Sequence, residues 1–528
     1  MPEAITDNLD IWTSALLTRS TAGRGSNGKL EAYGIKKLRE LIYELAAKGL
    51  LVDAASDAAA KTAKIGDVAD LVMGQAPPGN ECNKDGVGTI FVKTGEFGDL
   101  YPEVVEWTTK PLKLAKAGDV LICVVGATVG KLNLAIDSAI GRSVAAIRPH
   151  GDIDTKYLYF SLMPYTLKLR SQSRGSAQGV IGKEELNAVE IRLPLLKEQN
   201  RIVEKVDELM SLCDQLEQQQ THSIEAHKTL VASLLGTLTS VVSQQEFSAA
   251  WALIASHFDT LFATEASIDQ LKQTILQLAV MGKLVPQDPH DEPASVLLEK
   301  IANEKERLIE ESKLKKQKPL PVIGVEETLF DLPEGWAWAR LQDVIDVRDG
   351  THDSPKDAIG EDTYPLVTSK NFINGEIDFD GARRISAEDH VEISKRSLVE
   401  KYDILFSMIG GNLGNQVMVL DDRQFSVKNV ALFKYYNKDL TSPYFVKKFM
   451  EHLALDLQGE ASGGAQPFVS LGFLRSLVFG LPPCDEQERI VAKVDELMVL
   501  CDSLKARLAD AQANQLHLAD AIVEQAVC

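Results

Sequence analysis

The apolar residues of this chain follow a heptad pattern in two segments that are near copies of each other. Glu198–Leu216 reads EQNRIVEKVDELMSLCDQL and Glu486–Leu504 reads EQERIVAKVDELMVLCDSL, so that 15 of 19 residues are identical. Apolar positions in alternating steps of four and three predict a helix with one apolar stripe. The stripe contains Ile202, Val206, Leu209, Cys213 and Leu216 in the first copy and Ile490, Val494, Leu497, Cys501, Leu504 and Leu508 in the second. We predict two long scaffold helices that use this stripe as their packing seam.

A second amphipathic pattern also occurs twice, with a different offset. Apolar positions between residues 35 and 52 recur 233 residues later, between residues 268 and 285, and each segment contains a glycine of the kind that ends helices, Gly49 or Gly282. Offsets of this size exceed the ~20–50 residues of solenoid repeats. The chain is therefore expected to contain two copies of one large unit, related by a pseudo-two-fold axis.

Two stretches between these helices have short apolar runs separated by long polar loops. Residues 118–130, GDVLICVVGATVG, match residues 402–414, YDILFSMIGGNLG, as a buried strand followed by a turn with a glycine at each end. The framework is shared while the loops differ, which favours two readers of different targets on one scaffold. We predict an α+β fold in which two mixed α/β domains are joined by long antiparallel helices as a coiled coil, in a pseudo-two-fold cyclic arrangement.

Composition is typical of a soluble, cytoplasmic protein with several domains. The 528 residues are 45% hydrophobic, no run approaches the ~20 apolar residues of a membrane span, and the acidic N-terminus MPEAITDNLD does not resemble a signal peptide. The six cysteines form no C-x-x-C pair, and Cys213 and Cys501 occupy equivalent heptad positions. We expect both to be buried apolar residues, with no metal site.

Net charge is −20, which by itself argues against phosphate binding. From Lys61 to Leu193, however, 16 lysines and arginines stand against 15 acidic residues, and from Trp336 to Leu481 the counts are 16 and 21. Most of the acidic excess therefore lies on the predicted helices. The two globular stretches are near neutral, which permits contact with DNA, and a partner is expected to supply further cationic surface.

Catalytic motifs are incomplete wherever the letters suggest one. Residues 126–131, GATVGK, resemble a phosphate-binding loop. The glycine that such a loop needs five places before Gly130 is Val125, however, and the residue after Lys131 is Leu132 rather than serine or threonine. Residues 23–28, GRGSNG, fit a dinucleotide motif, but a helix is predicted before them where a strand is needed. The chain contains no H-E-x-x-H and no [N/D]-P-P-[Y/F] motif of amino-methyltransferases. His352 could serve as a base or touch DNA, although a solvated loop histidine is the simpler interpretation.

These segments together resemble the specificity subunit of Type I restriction–modification enzymes. The resemblance lies in GRGSNGKLEAYGIKKLREL near the N-terminus, the central TILQLAVMGKLVPQDPHDEPAS, the linker KKQKPLP with LPEGWAWARL, and the two LP-x-x-x-EQ-x-RIV helices. It covers essentially the whole chain. One departure is LAAKGLLVDAASDAAA after the first helix, where the second copy has the GKLVPQDP ending at Gly282 to Pro289.

This resemblance implies a DNA-recognition subunit without catalysis of its own. Its segments would be an N-terminal helical region (1–60), a first target recognition domain (61–193), a central helical region and linker (194–330), a second target recognition domain (331–482) and a C-terminal helix (483–528). The partners implied are double-stranded DNA, two methyltransferase subunits and the motor–nuclease (restriction) subunits. The chain itself would hold no cofactor, since S-adenosylmethionine, ATP and Mg²⁺ belong to those partners.

Base readers are expected among loop residues whose side chains can form bidentate hydrogen bonds or place a cation. A helix of about 40 residues is ~60 Å long, enough to hold two readers at DNA sites ~34–36 Å apart. The candidates are Gln75, Lys93, Thr94, Lys131, Arg142, Arg174 and Gln178 in the first domain and His352, Lys370, Asn371, Asn412, Asn415, Lys428 and Gln466 in the second.

Two alternatives belong to other functional classes. A stand-alone DNA-modifying or nucleotide-using enzyme would require the missing motifs and would show methyl transfer or ATP turnover when purified. A purely structural coiled-coil scaffold would explain the helices but not two related domains with divergent polar loops. Salt-dependent, sequence-specific binding of duplex DNA separates the scaffold from a recognition subunit.

Overall fold

The computed structural model describes residues 3–19, 29–52, 60–126, 128–172, 180–241, 243–328, 330–460 and 468–527. The chain divides into two compact units. Unit 1 comprises Met1–Glu225 and Ala509–Cys528, and unit 2 comprises Ala226–Leu508. Each unit combines helices with one globular domain, so the predicted α+β class is confirmed.

The helices fall at the following positions. They are α1 (Glu3–Thr6), α2 (Leu9–Ser14), α3 (Tyr33–Lys48), α4 (Ile65–Val68), α5 (Thr155–Gln172), α6 (Lys183–Asn187), α7 (Leu196–Ser240), α8 (Gln244–Ser256), α9 (Phe258–Leu261), α10 (Glu265–Val280), α11 (Ala294–Glu310), α12 (Leu341–Val344), α13 (Ala387–Ser397), α14 (Pro443–Glu460), α15 (Leu471–Ser476) and α16 (Cys484–Val527). The heptad segments lie in the first half of α7 and the first half of α16.

The strands are short, as the sequence pattern predicts. In unit 1 they are β1 (Leu17–Arg19), β2 (Lys29–Glu31), β3 (Lys61–Lys64), β4 (Ala69–Met73), β5 (Cys82–Asn83), β6 (Thr89–Val92), β7 (Trp107–Thr108), β8 (Leu114–Ala115), β9 (Val120–Cys123), β10 (Leu132–Leu134), β11 (Ser138–Ile140), β12 (Val144–Pro149) and β13 (Glu190–Leu193). In unit 2 they are β14 (Ala337–Arg340), β15 (Ile345–Asp349), β16 (Thr363–Val367), β17 (Phe372–Ile373), β18 (Glu376–Ile377), β19 (Arg383–Ser386), β20 (Ile404–Ser407), β21 (Gln416–Met418), β22 (Ser426–Val427), β23 (Val430–Tyr435) and β24 (Val478–Leu481).

The first domain is built on two sheets that share a core. An antiparallel sheet has the order β10-β9-β12-β4, and a second sheet has the order β5-β7-β6-β11-β8, in which β6 and β11 are parallel. Alternate residues of β9 face opposite sides: Val120 and Ile122 join a core cluster with α3, α5 and α7, while Leu121 and Cys123 pack with Val92 and Ile140 of the second sheet. Both faces of β9 are covered, which explains its uninterrupted apolar sequence.

The second domain repeats this arrangement. Its antiparallel sheet has the order β15-β23-β20-β21, and a smaller sheet has the order β19-β16-β22, in which β16 and β22 are parallel. Ile404 and Phe406 of β20 face a core cluster that includes α14, while Leu405 packs with Val367 and Val427. Each domain is closed by a two-stranded ribbon, β3 with β13 and β14 with β24, which pairs the strand entering the domain with the strand leaving it.

The predicted seam residues are buried or half-buried in each unit. In unit 1, Ile202, Val206, Leu209 and Cys213 are buried in a cluster with apolar residues of α3, and Leu216 packs against it. The guanidinium of Arg39 in α3 also pairs with Asp214 at 2.7 Å and Glu217 at 3.0 Å. Burial raises the pKa of the Cys213 thiol to about 11, consistent with an inert apolar role.

Unit 2 contains the corresponding seam. Ile490, Val494 and Cys501 are buried in a cluster with α10, while Leu497, Leu504 and Leu508 pack against that cluster. Lys505 pairs with Asp269 at 2.9 Å, and the ammonium of Lys272 pairs with the Asp502 carboxylate. Lys272 and Asp502 occupy the positions of Arg39 and Asp214, so this cross-helix ion pair is present in both units.

The Glu-Gln pair that begins each repeated helix joins the helix to the domain before it. The buried Gln199 amide donates to Pro194 O at 2.9 Å and accepts from Asp154 N at 2.9 Å at the start of α5. Gln487 forms the same bonds, donating to Pro482 O at 3.1 Å and accepting from Ser442 N at 2.8 Å at the start of α14. The repeated letters thus correspond to repeated contacts.

The region around GRGSNG differs from the sequence prediction. Residues 23–28 lie outside the described residues, but the segment before them ends in strand β1 rather than in the predicted helix. β1 pairs with β2 in an antiparallel hairpin, so that a strand follows the glycines. A dinucleotide loop requires a helix at that point, and the motif is therefore excluded on its structural context.

Candidate nucleic-acid interface

In the first domain, four segments meet where strands of both sheets end. Gln75 N donates to Ile140 O at 2.9 Å, Gly141 N donates to Val92 O at 3.0 Å, and Val124 N donates to Ser143 O at 2.8 Å. These bonds join residues 74–75, 93–97, 124–131 and 140–143, which we term the first loop edge. The parallel pairing of β6 and β11 brings their following loops to this same end.

In the second domain, the equivalent segments meet through equivalent bonds. Thr351 N donates to Val427 O at 2.9 Å and Lys428 N donates to Val367 O at 2.9 Å. We term residues 350–354, 368–372, 408–415 and 427–429 the second loop edge. In this domain too, parallel strands, β16 and β22, end side by side, and their loops carry candidate residues.

A glycine-bounded turn follows the central strand of each domain with the same backbone geometry. It runs from Gly126 to Gly130 in the first domain, where Ala127 is outside the described residues, and from Gly410 to Gly414 in the second. The closing glycines have left-handed φ angles of 78° and 81°, which side-chain-bearing residues rarely adopt. Four backbone hydrogen bonds are the same in both turns. In the first turn they run from Val129 N to Gly126 O, Lys131 N to Thr128 O, Gly130 N to Cys123 O and Cys123 N to Lys131 O. In the second turn the corresponding bonds, in the same order, run from Leu413 N to Gly410 O, Asn415 N to Asn412 O, Gly414 N to Ser407 O and Ser407 N to Asn415 O.

The first loop edge holds five of the seven residues predicted for that domain. Gln75 and Arg142 are exposed, and neither side chain has a partner among the described residues. Thr94 is half-buried in a 3₁₀ turn, Thr94–Glu96. The Lys93 ammonium is paired with the Glu106 carboxylate and lies 3.6 Å from Glu96, and the hydrogen bond that Lys93 donates to Glu106 raises the pKa of Lys93. Lys131 donates its ammonium to the carbonyl of Phe97.

The second loop edge holds six of the seven residues predicted for its domain, in varied surroundings. Lys370 and Asn412 are exposed, and their side chains have no partner within the described part of the chain. Lys428 donates to the Ser354 hydroxyl, and His352 contacts Asn429 at 3.2 Å.

The other two candidates of the second loop edge hold backbone in place. The Asn371 side chain is buried and accepts from Thr368 N at 3.0 Å, so it is not presented to solvent. The Asn415 amide donates to Phe372 O at 3.3 Å.

Three predicted residues, Arg174, Gln178 and Gln466, lie outside the described residues. The segments that follow them do reach the edges, because Val180 bridges Val125 in the first domain and Phe468 bridges Ile409 in the second. The prediction that any of these residues contacts DNA stays a prediction.

One exposed position of the first loop edge was missed from the sequence. Thr128 lies in the middle of the first glycine turn at the place that Asn412 occupies in the second. The sequence did contain this information, because aligning Gly126 and Gly130 with Gly410 and Gly414 also aligns Thr128 with Asn412. Thr128 also contacts the buried Cys123 sulfur at 3.2 Å, which fixes its orientation.

The electrostatic character of the two edges follows from which cations are already paired. Lys93 is balanced by two carboxylates, whereas Arg142 and Lys370 offer free positive charge at the surface. Arginine can bind the O6 and N7 acceptors of guanine with two parallel bonds, and lysine can bind either those atoms or a phosphate. In the part of the chain that the structure describes, no group of three or more His, Cys, Asp or Glu side chains is placed to hold a metal ion. Nor does any described helix have the length and apolar character needed to cross a membrane.

Comparison with known proteins identifies the relationship of these two domains. The family model described as the Type I restriction modification DNA specificity domain matches twice, at residues 59–226 and 333–511. The chain belongs to this family. Each match covers one globular domain and the first part of the long helix that follows it, α7 or α16. The family unit is thus present twice in one specificity chain.

Full-length relatives within this specificity family agree with that assignment. The chain is 35% identical to the Type I restriction enzyme EcoAI specificity subunit of Escherichia coli, over 99% of both chains. It is 34% identical to the Type I restriction enzyme EcoEI specificity subunit of the same organism, again over 99% of both. A crystal structure of the HsdS subunit from Thermoanaerobacter tengcongensis matches 35% of this chain and 46% of its own, with 33% identity and a TM-score of 0.30.

Proposed function

We propose that this chain is the DNA-recognition subunit of a cytoplasmic Type I restriction–modification complex and has no catalysis of its own. Each loop edge reads one half of an asymmetric, two-part DNA target, and the bases between the halves are not read. The first target recognition domain comprises residues 61–193 and the second comprises residues 331–482. The helical regions 1–60, 194–330 and 483–528 connect them as an antiparallel coiled coil with pseudo-two-fold symmetry.

The observation that carries this proposal is the pair of loop edges. Both are built by the same backbone hydrogen bonds, but the exposed residues on them differ: the second domain has Asn412 at the position of Thr128 and Lys370 at the position of Gly95. A constant framework with variable exposed donors suits two readers of different sequences. The full-length relatives are named specificity subunits of Type I restriction enzymes, which supports the same function.

The partners follow from the division of labour in such a complex. Two methyltransferase subunits, which bind S-adenosylmethionine, and motor–nuclease subunits, which use ATP and Mg²⁺, would dock on the helical regions. Repetition of the Arg39–Asp214 ion pair as Lys272–Asp502 supports two similar docking positions, since similar helix packing presents similar surfaces. The complex would methylate adenine in both halves of the target and protect the host against phage DNA.

The test is methylation mapping in cells that express this chain with its methyltransferase subunit. The wild-type system should modify one asymmetric, interrupted sequence, and the purified chain alone should transfer no methyl groups. Arg142→Ala should weaken discrimination in one half-site and Lys370→Ala in the other, by about 5- to 150-fold at the affected base, which corresponds to ~1–3 kcal/mol.

Two control positions lie near the starts of β6 and β20, two strands whose other ends lead into the loop edges. Lys110→Ala removes an exposed lysine beyond β7, whose Thr108 pairs with the start of β6, and Lys401→Ala removes a half-buried lysine just before β20 that pairs with Asp422 at 3.2 Å. Both controls should retain the wild-type target. Methylation by the isolated chain, or an uninterrupted target, would overturn the proposal.

A further inference from the structure

The two domains share one side-chain bond between different parts of the loop edge. The residue after the closing glycine of each turn, Lys131 or Asn415, donates to the carbonyl that ends the neighbouring 3₁₀ turn. The acceptors are Phe97 O in the first domain and Phe372 O, at 3.3 Å from the amide nitrogen, in the second. In both cases the bond joins the glycine turn to the loop that follows the parallel strand β6 or β16.

The 3₁₀ turn at the other end of this bond is fixed in the same way in both domains. Glu96 accepts from Lys93 N at 2.7 Å, and Asn371 accepts from Thr368 N at 3.0 Å. Glu96 and Asn371 each directly precede the phenylalanine whose carbonyl is bound. Each loop therefore has a 3₁₀ turn closed by a side-chain hydrogen bond. The next residue accepts the bond from the glycine turn, which we term the tether.

The recurrence of this bond with different residue types separates it from an incidental surface contact. A lysine ammonium and an asparagine amide share little except their N–H donors, yet they occupy the same position and reach the same backbone atom. Both residues also use their own backbone in the glycine turn, where Lys131 O accepts from Cys123 N and Asn415 O accepts from Ser407 N, each at 2.8 Å. Two different donor residues thus make the same bond at this position.

We propose that Lys131 and Asn415 are positioning residues, each of which holds its reader loop at a fixed distance from the glycine turn. This inference deepens the proposed function and rests on it. The tether sets the separation between the exposed turn residue, Thr128 or Asn412, and the exposed loop segment that contains Thr94 or Lys370. Base readout requires side chains held to within ~0.5 Å of their working geometry, which a freely moving loop would not provide.

Hydrogen–deuterium exchange of the full chain tests the tether without reference to DNA. Lys131→Met keeps the unbranched side chain up to its fourth heavy atom but removes the donor, and Asn415→Asp keeps the shape but puts an acceptor against a carbonyl. Each should speed amide exchange by about 2- to 10-fold, at residues 94–100 in the first case and 369–375 in the second. Lys131→Arg retains a donor and should exchange like wild type. Asn412→Asp, the same change at an exposed turn position, should leave residues 369–375 unaffected. Unchanged exchange in both donor-removing variants would overturn the tether.

Methylation mapping of the same variants tests the role in recognition. Lys131→Met should relax base preference in the first half-site by at least fivefold and leave the second intact, Asn415→Asp should do the reverse, and Lys131→Arg should restore wild-type preference. A residue that binds phosphate directly would instead lower affinity equally for all sequences and reduce the salt slope by about one. That result, or faster exchange with unchanged base preference, would refute the positioning role. A wild-type system that modifies no two-part target would refute the proposed function while the exchange result still stands.

Discussion

Replacing Gln199 or Gln487 by alanine should loosen the junction between each long helix and the domain before it. Gln199 is 1% exposed, and its side chain forms three bonds, to Pro194 O at 2.9 Å, to Asp152 O at 3.3 Å and from Asp154 N at 2.9 Å. Each buried group that is left without a partner costs ~1–3 kcal/mol, and water can reach the loop at Asp152. We therefore expect Gln199→Ala to destabilise unit 1 by about 2–4 kcal/mol. Gln487 makes two of these bonds, and Gln487→Ala should cost unit 2 about 1.5–3 kcal/mol.

Native-state hydrogen exchange measures both effects separately in one molecule. Amides in α5 report on unit 1 and amides in α14 on unit 2, and a loss of ~2.7 kcal/mol speeds exchange through global opening about 100-fold. The exposed neighbours Asn200 and Glu488 provide the controls, and their alanine variants should exchange within about twofold of wild type. If Gln199→Ala behaved like Asn200→Ala, or if it speeded exchange in α14 as much as in α5, these bonds would not be what joins the helix to the domain.

Three further outcomes are expected. The first concerns the length of the long helices. Four residues inserted near Gln218 to Gln220 of α7, alone or together with four residues after Arg507 of α16, should add ~6 Å of helix and lengthen the unread spacer by roughly one to two base pairs in methylation mapping. An unchanged spacer at full activity would mean that the helices do not set the distance. Replacing residues 61–193 by the equivalent domain of a relative should change one half-site, and a change in both would contradict independent reading. Burial raises the pKa of Asp403 to about 6, above the usual ~3.9 of an unfolded chain, although the Lys434 ammonium at 2.7 Å acts in the opposite direction. This carboxyl by itself should therefore contribute a loss of about 3 kcal/mol of stability in unit 2 as pH rises from about 4 to 6. Asp403→Asn should abolish that slope in urea denaturation, and an equal slope in the variant would refute the assignment.

The helices and the glycine turns could be predicted because their signals are local. The heptad stripe gave the position of α7 and α16, and the aligned glycines gave both turns. The 18-residue helix α5 was not foreseen, because residues 157–160 are all buried and the sequence therefore has no polar face with the helical period. The same holds for the ribbon of β3 and β13, whose pairing of Lys61 with Leu193 joins residues distant in sequence.

The sequence could not show which of the candidate side chains already have partners. Residue type and loop position identified both loop edges, but they could not distinguish a free cation such as Arg142 from one already engaged, such as Lys93. The difference lies in Glu106, which reaches Lys93 because β7 pairs with β6. Whether a donor is free depends on tertiary neighbours, and no spacing rule within one loop contains that information.

The repeated glycine turn has a consequence for how small a transplant could alter recognition. Its four backbone bonds come from main-chain atoms and leave the middle positions, Thr128 and Asn412, without a structural duty in common. Under the proposed function, we therefore expect that specificity can be exchanged without exchanging whole domains. The smallest such exchange would swap the exposed residues between the two turns of this chain. The glycines and the residue after the closing glycine would stay in place.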